Sequence, residues 1–247
     1  MKKLYLLFTA LLLSLLGIAQ QSSWKIVPGH ITTQWAADVN PANTLPDYPR
    51  PLMQRSDWQN LNGLWQYSII PVSTDENIPV SFEGNILVPF PVESALSGVS
   101  KKVGKDSILW YQRNISVPGK LKGKKVLLHF GAVDWRSDVF VNGQKIGRHE
   151  GGYDPFTFDI TAALKKGSQQ ILSVRVWDPT DDGPQPHGKQ VVHPEGIWYT
   201  SVTGIWQTVW LETVPDTYIA FTKQTPDLDD KNISISASIE NSQTGDE

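Results

Sequence analysis

The stretch that decides the fold is residues 126–160, VLLHFGAVDWRSDVFVNGQKIGRHEGGYDPFTFDI. It begins with an apolar run, and a second strand-like run leads into Asn142-Gly143. Asn-Gly between two such runs is a strong hairpin signal, because both residues tolerate the positive φ that a type I′ turn requires. The alternation of Phe156, Phe158 and Ile160 predicts another strand. Since no apolar period of 3.6 residues appears, we predict an antiparallel β core.

Further strand-like runs lie on both sides of this stretch, at residues 64–70, 84–88, 108–117, 171–177 and 205–211. Glycine and proline separate them, and short strands punctuated in this way indicate a β-sandwich. From their positions on these runs we predict that four large apolar side chains belong to the core: Trp65, Phe140, Val174 and Trp210.

Composition narrows the class of protein. The chain has 247 residues and a formal net charge of −3, which argues against a nucleic-acid binder because such proteins usually carry a basic stripe. It has no cysteine, so core packing rather than disulfides must hold it together. Ten tryptophans supply large apolar surfaces for a core or for a ligand platform.

The ends of the chain differ from its centre. Residues 1–19 have two lysines, an apolar run and small residues at cleavage-compatible spacing, which predicts a signal peptide and a secreted or periplasmic protein. Residues 20–51 are rich in proline and predict an irregular arm. We predict one sandwich over residues 52–214 and an incomplete second domain over residues 215–247, which contain the strand-like segment ISISASI.

Five segments carry a resemblance to a known family. In order across residues 57–212 they are DWQNLNGLWQY, LVPFPVESALSGV, LWYQRNISVP, AVDWRSDVFVNGQKIGRHEGGYDPFTFDIT and IWYTSVTGIWQTVWLE. Together they resemble the N-terminal sugar-binding domain of glycoside hydrolase family 2, the β-galactosidase and β-glucuronidase group. The resemblance implies a jelly-roll sandwich, then an immunoglobulin-like sandwich, then a (β/α)₈ barrel that carries both catalytic glutamates.

The resemblance therefore implies a sugar-binding domain of a secreted glycosidase, with a glycoside as substrate and a downstream barrel as packing partner. Retaining glycosidases use two carboxyl groups about 5–5.5 Å apart. Because the family places that pair on the barrel, we assign no catalytic residue here and expect no turnover by this chain alone. No cofactor, metal, nucleic-acid partner or membrane association after signal cleavage is expected. A free-standing carbohydrate-binding module and a surface adhesion fragment remain alternatives.

Four residues are predicted to contact sugar. The resemblance brings residues 89–98 and 195–204 to the substrate pocket, where Glu93 and Ser94 would bond hydroxyl groups; a role in stabilising the loop is the alternative. Trp198 and Tyr199 offer flat faces suited to a sugar ring, with packing against the core or the barrel as the alternative. Members of the family carry an aspartate at the position of Trp198, so the sugar and its linkage stay open.

Two weaker patterns complete the set of candidates. His187 and His193 lie in the proline-rich loop of residues 178–196 with carboxylates nearby, but without the spacing of a zinc site, so we expect a solvated loop rather than a metal centre. Asp134 and Arg136 flank Trp135 and suggest an ion pair at the end of the sheet.

Overall fold

The computed structural model describes residues 24–73, 77–117 and 124–241. The predicted signal peptide, residues 1–19, lies outside the described residues. Within the described ranges, no helix is long and apolar enough to cross a membrane. Regular structure in this part of the chain consists of β-strands and four short 3₁₀ helices, Gln34–Asp38, Pro51–Met53, Ala95–Ser97 and Thr161–Ala163.

Sixteen strands follow one another along the described chain. The first eight are β1 (Trp58–Asn60), β2 (Gly63–Pro71), β3 (Gly84–Val88), β4 (Ser107–Ser116), β5 (Lys124–Phe130), β6 (Val133–Asp134), β7 (Arg136–Val141) and β8 (Gln144–Glu150). The remaining eight are β9 (Phe156–Asp159), β10 (Gln169–Trp177), β11 (Gln190–Val191), β12 (Tyr199–Thr200), β13 (Gly204–Ile205), β14 (Val209–Pro215), β15 (Tyr218–Asp227) and β16 (Asn232–Glu240).

Two sheets form the body of the protein. One has six strands in the order β3-β2-β4-β10-β7-β8, and the other has four in the order β1-β14-β5-β9. Their inward-facing side chains make one core that includes Trp65, Tyr111, Phe130 and Ile160, each at most 1% exposed. Neighbouring strands in both sheets run antiparallel; β10 pairs with β4 in the larger sheet, for example, and β14 pairs with β5 in the smaller one. The predicted all-β sandwich is confirmed.

The central hairpin is formed by β7 and β8 with Asn142-Gly143 at the turn. Asn142 has φ 53° and Gly143 has φ 84°, the positive values expected for a type I′ turn. Asn142 also fastens the turn to its surroundings. Its Nδ2 donates to Ala163 O at 2.9 Å and to Gln170 Oε1 at 2.7 Å, and its Oδ1 accepts from Ile171 N at 3.1 Å.

Two expectations about the strands are wrong. The run at residues 205–211 is not one strand, because residues 206–208 separate β13 from β14. There Trp206 N donates to Ala132 O and Gly131 N donates to Thr208 O, so the backbone bonds of this segment are made to a neighbouring bend.

The second wrong expectation concerns Phe140. This side chain is half-buried outside the core and packs on Trp110, with ring centroids 5.5 Å apart. Its neighbours Val139 and Val141 occupy the core face instead.

A buried carboxylate holds the N-terminal arm against the sandwich. The side chain of Glu212 on β14 has no exposed surface and accepts from Arg50 Nη2 at 2.7 and 2.8 Å. Tyr48 and Arg55 also donate to it. Burial alone would raise the pKa of Glu212, but His129, whose Nε2 lies 3.2 Å from Glu212 Oε2, and the donors Tyr48 and Trp210 hold that pKa well below its ordinary value.

The described chain ends in a long hairpin of β15 and β16. The two strands pair antiparallel from Tyr218↔Glu240 to Asp227↔Asn232, as the sequence predicts for residues 218–221 and 233–239. Ile233, Ile235 and Ile239 are each more than half exposed. Arg55, which lies between the arm and β1, donates to Ile219 O and links the hairpin to that segment. The domain boundaries and the immunoglobulin-like nature of this segment stay predictions.

Candidate functional site

The two stretches that were predicted to contribute sugar contacts lie side by side. Val92 N donates to Thr203 O at 3.4 Å, which joins the turn after β3 to the segment after β12. Ser94 caps the 3₁₀ helix Ala95–Ser97, since its Oγ accepts from Leu96 N at 3.1 Å. Gly204, with φ 90°, ends the second stretch; a side chain there would collide with the Tyr111 hydroxyl. The first stretch is therefore fixed by a helix cap, and the second by close packing of Gly204 on Tyr111.

Glu93 is the link between them. Its side chain is buried, with Oε2 accepting from Thr203 N at 2.9 Å and Oε1 accepting from Ser201 Oγ at 3.3 Å. Burial raises the pKa of Glu93 to about 7, although the hydrogen bonds from Thr203 act in the opposite direction. Glu93 thus orders the segment beside it, and its carboxyl group can change protonation near neutral pH.

Two further buried carboxylates lie in the same electrostatic neighbourhood. Asp178 accepts from Thr180 N at 2.8 Å and from Thr203 Oγ1 at 2.9 Å, and Asp134 accepts from Gln190 Nε2 at 3.2 Å. Burial first, and then the charge of Asp178, raises the pKa of Asp134 to about 7. Burial likewise raises the pKa of Asp178. The described residues place no lysine or arginine in an ion pair with Glu93, Asp134 or Asp178.

The expected ion pair between Asp134 and Arg136 is wrong. Asp134 faces Gln190, whereas the guanidinium of Arg136 lies over the Trp177 ring, 4.4 Å from its centroid. The two residues are two apart on an extended segment, which is interrupted at Trp135 between β6 and β7. Their side chains consequently meet different parts of the protein.

Trp198 and Tyr199 lie on the surface. They are 44% and 64% exposed, so neither is buried in the core of the described protein. Tyr199 begins β12, which pairs in parallel with β11, and Tyr199 N donates to Lys189 O at 2.8 Å. Gln190 Oε1 accepts from Val202 N at 2.6 Å and so fastens the far end of the same segment. Two flat aromatic faces are therefore displayed on backbone that is fixed on both sides.

A cleft of about 440 Å³ opens where these stretches meet. We call it the Glu93 cleft; it is lined by Gly29, His30, Ile31, Pro91, Glu93, Ser94, Ala95, Thr200, Ser201 and Val202. Of the four predicted residues, Glu93 and Ser94 line it, while Trp198 and Tyr199 precede its wall on the same segment. Its mixture of hydroxyl, carboxyl and apolar groups suits a ligand that carries both hydroxyl groups and C–H faces.

Sequence reasoning missed several residues that build this region. His30 comes from the arm and contacts Ser100 Oγ at 2.9 Å, so the arm supplies one wall of the cleft. Asp178, Gln190 and Thr203 hold the segment from Tyr199 onward. Their partners are distant in the sequence, and no local motif marks such a contact.

The loop at residues 178–196 does not gather metal ligands. His187 Nδ1 lies 2.9 Å from Gln190 O, and Asp182 pairs with Lys105. Asp181 accepts from Val192 N at 3.2 Å. Over the ranges that the structure describes, no group of three or more histidine, aspartate or glutamate side chains is arranged to hold an ion.

Comparison with known families agrees with the architecture. The sequence pattern described as "Glycosyl hydrolases family 2, sugar binding domain" matches residues 83–215, more than half of the chain. The chain belongs to glycosyl hydrolase family 2. Residues 83–215 are the sugar-binding domain of that family.

Individual relatives carry two enzyme names. A β-galactosidase of Thermoanaerobacter pseudethanolicus is 38% identical over 115 residues, and a β-glucuronidase of Formosa agariphila is 33% identical over 111 residues. Each match covers 45% of this chain, but 14% and 11% of the relatives' own lengths. This family 2 domain therefore corresponds to a small part of the curated relatives.

Solved structures show the same fold. A β-glucuronidase of Ruminococcus gnavus matches with a TM-score of 0.60 and 20% identity, over 79% of this chain and 34% of that one. A β-glucuronidase of Faecalibacterium prausnitzii matches with a TM-score of 0.58 and 23% identity, over 79% and 37%. At these identities the likeness concerns the fold alone.

Proposed function

We propose that this family 2 domain works within a longer glycosidase that cleaves a β-galactoside or a β-glucuronide, and that it holds the sugar at the Glu93 cleft. The names of the relatives support these two substrate classes. The observation that carries the assignment to this cleft is the junction of residues 89–98 with residues 195–204 through Glu93.

Each predicted residue has a distinct role in this proposal. Trp198 and Tyr199 lie against the C–H face of a sugar ring, which their exposure permits. Ser94 lines the cleft and offers a hydroxyl group to the sugar. Glu93 forms its floor, and its main contribution is to fix Thr203 and Ser201, since both of its oxygens already accept hydrogen bonds. Such positioning assists a reaction by holding the reacting groups in place.

The proposal assigns bond cleavage to a different domain. Hydrolysis with retention needs a nucleophile and an acid/base carboxyl about 5–5.5 Å apart. The resemblance to the family implies that both lie on a barrel, and the relatives are long enough to contain one, since the matched part is 14% or less of their length. The barrel is also the proposed packing partner of this domain.

The test uses the complete gene product and nitrophenyl β-galactoside and β-glucuronide as substrates. We expect hydrolysis of at least one, and a loss of about fivefold or more in kcat/KM for Trp198→Ala or Tyr199→Ala, because a stacking contact contributes about 1 kcal/mol or more. Trp35→Ala, at a similarly exposed aromatic residue that does not line the Glu93 cleft, is the matched control and should leave kcat/KM unchanged.

Three outcomes would contradict the proposal. Unchanged kcat/KM in both aromatic variants would show that the sugar does not contact Trp198 or Tyr199. Turnover by the 247-residue chain alone that Glu93→Gln abolishes would place a catalytic carboxyl in the sandwich. Sugar binding without hydrolysis by the complete gene product would favour the alternative, a free-standing carbohydrate-binding module.

A further inference from the structure

A second cleft lies between the N-terminal arm, the loop at residues 151–155 and residues 206–208. Its volume is about 520 Å³, and it shares no lining residue with the Glu93 cleft. We propose that this arm cleft binds an uncharged oligosaccharide at a site separate from the Glu93 cleft. The proposal does not depend on which glycoside the complete enzyme cleaves.

Four aromatic residues line the arm cleft, Tyr48, Tyr153, Trp206 and Trp210, and two of them pack against each other. Trp206 and Tyr153 both line it, with ring centroids 6.4 Å apart and planes at 76°. Tyr153 is 48% exposed, so much of its ring is open to a ligand. Flat aromatic faces of this kind match the C–H faces of sugar rings.

Polar groups stand beside these rings. The lining includes Gln207 and Thr208 next to Trp206, and Asp47 and Arg50 on the arm. A largely apolar wall with a few polar groups is the usual composition of a small-molecule site, and its volume lies within the common range of about 300–1,000 Å³. The amide of Gln207 can both donate to and accept from hydroxyl groups. The surface thus offers the two kinds of contact that an oligosaccharide needs.

Charge favours an uncharged ligand. Arg50 is the one cation among the lining residues, and its Nη2 lies 2.7 Å from Glu212 Oε1, so its guanidinium is already engaged in the ion-pair cluster that Glu212 forms with Arg50 and Arg55. Asp47 is the one acidic residue of the lining and is exposed. An acidic sugar would meet Asp47 without gaining a free cation. A neutral sugar is not repelled by Asp47 and does not need a free cation.

The walls of the arm cleft are fixed before any ligand arrives. Trp206 Nε1 donates to Gly152 O at 2.7 Å, which ties the indole to the neighbouring loop. Asn62 Nδ2 donates to Thr208 Oγ1 at 3.2 Å, and Tyr48 and Arg50 are bound to Glu212. A site whose walls are already ordered loses less entropy on binding.

Titration calorimetry of the 247-residue chain with cellotetraose, xylotetraose and β-1,4-galactotetraose tests the proposal. We expect at least one to bind with a Kd of about 1 mM, and Tyr153→Ala to weaken binding about tenfold. Gln207→Ala should weaken it as well, and serves as a second variant because both side chains are exposed. Phe221→Ala is the matched control, and tetragalacturonate is the charged probe.

Three results would overturn the proposal. They are the absence of binding by all three neutral tetrasaccharides, binding that neither Tyr153→Ala nor Gln207→Ala weakens, and tighter binding of tetragalacturonate than of every neutral probe. This experiment measures binding to the isolated chain, so its failure leaves the hydrolysis assay of the complete gene product unaffected. Failure of that assay in turn does not affect the proposal that the arm cleft binds an oligosaccharide.

Discussion

At the scale of single residues, the buried carboxylates are accommodated in two different ways. Glu212 is surrounded by donors and by two arginines, so its charge is stabilised. Glu93 and Asp134 are buried with hydrogen-bond donors, but no lysine or arginine of the described residues pairs with them, and burial raises the pKa of each to about 7. The same burial therefore gives a permanent anion on β14 and groups that titrate near neutral pH beside the Glu93 cleft.

The raised pKa of Glu93 predicts a pH-dependent stability. A carboxyl that binds its proton more tightly in the folded protein contributes stability below its ordinary pKa, and that contribution is lost as pH rises through the folded value of about 7. Between about pH 5 and about pH 8 we expect wild type to lose on the order of 2–3 kcal/mol more unfolding free energy than Glu93→Gln. Urea denaturation at both pH values measures this difference. Glu240→Gln, on exposed β16, is the control, and parallel pH profiles for wild type and Glu93→Gln would contradict the prediction.

Trp210 predicts a large loss of stability. It is 4% exposed, stacks on His129 with centroids 4.7 Å apart, and donates from Nε1 to Glu212 Oε1 at 2.9 Å. Trp210→Ala should lower the free energy of unfolding by ~3–5 kcal/mol, measured by urea denaturation. Trp35→Ala, at a tryptophan that is 65% exposed, is the control and should change it by less than ~0.5 kcal/mol. A loss below ~1 kcal/mol at Trp210 would be inconsistent with its burial.

At the scale of elements, the turn between β7 and β8 combines a backbone and a side-chain function. Asn142 has the positive φ of the turn, and its amide joins the turn to Ala163, Gln170 and Ile171. A glycine could supply the backbone conformation but none of these three bonds. The hairpin is thereby fixed both in itself and against the neighbouring chain.

Two substitutions separate these functions. Asn142→Gly keeps the positive φ and removes the amide, so it should lower the free energy of unfolding by ~1–3 kcal/mol. Asn142→Ala should cost about 1 kcal/mol more, because an alanine is strained at positive φ. Thermal and urea denaturation of both variants measure the order. Equal stability of wild type and Asn142→Gly would show that the hydrogen bonds of the Asn142 side chain contribute nothing to stability.

Local pattern predicts the strands well and the site in part. The hairpin at Asn142-Gly143 and the core face of β10 follow from turn chemistry and period-2 alternation, which act over a few residues. The break at Trp206 was not predicted, because its cause is a bond to Ala132, far earlier in the chain. The core prediction for Phe140 is wrong for a related reason. Alternation defines two faces of a strand but does not say which face meets the second sheet. The role of Glu93 in fixing Thr203 also depends on a contact between distant segments.

At the scale of the whole molecule, the described chain is one sandwich with an arm at one end and a hairpin at the other. Both ends are connected to the body near Glu212. The arm pairs with Glu212 through Arg50, and Arg55 of the body binds both Glu212 and Ile219 O of the hairpin. The two clefts also depend on the arm, because His30 lines one and Tyr48 lines the other. The arm thus contributes lining residues to both clefts of this family 2 domain.

We further propose that the protein is exported and that residues 1–19 are removed. Their sequence has the positive start, apolar run and small residues of a signal peptide. Mass spectrometry of secreted protein should give an N-terminus near Gln20 or Gln21. Leu12→Arg, which interrupts the apolar run, should keep the protein inside the cell. Secreted material that retains Met1 would contradict the proposal.

The contacts of Glu212 determine where this domain could be cut from its gene and transplanted. The family pattern begins at residue 83, and the end of the proline-rich arm at residue 51 suggests a start at residue 52. A piece starting at either place would lack Tyr48 and Arg50, which bind a carboxylate about 160 residues away. A start at residue 83 would remove Arg55 as well, and leaving a buried charge unpaired typically destabilises a protein by about 3–5 kcal/mol. A transplantable unit must therefore begin upstream of Tyr48, well before the first strand of either sheet.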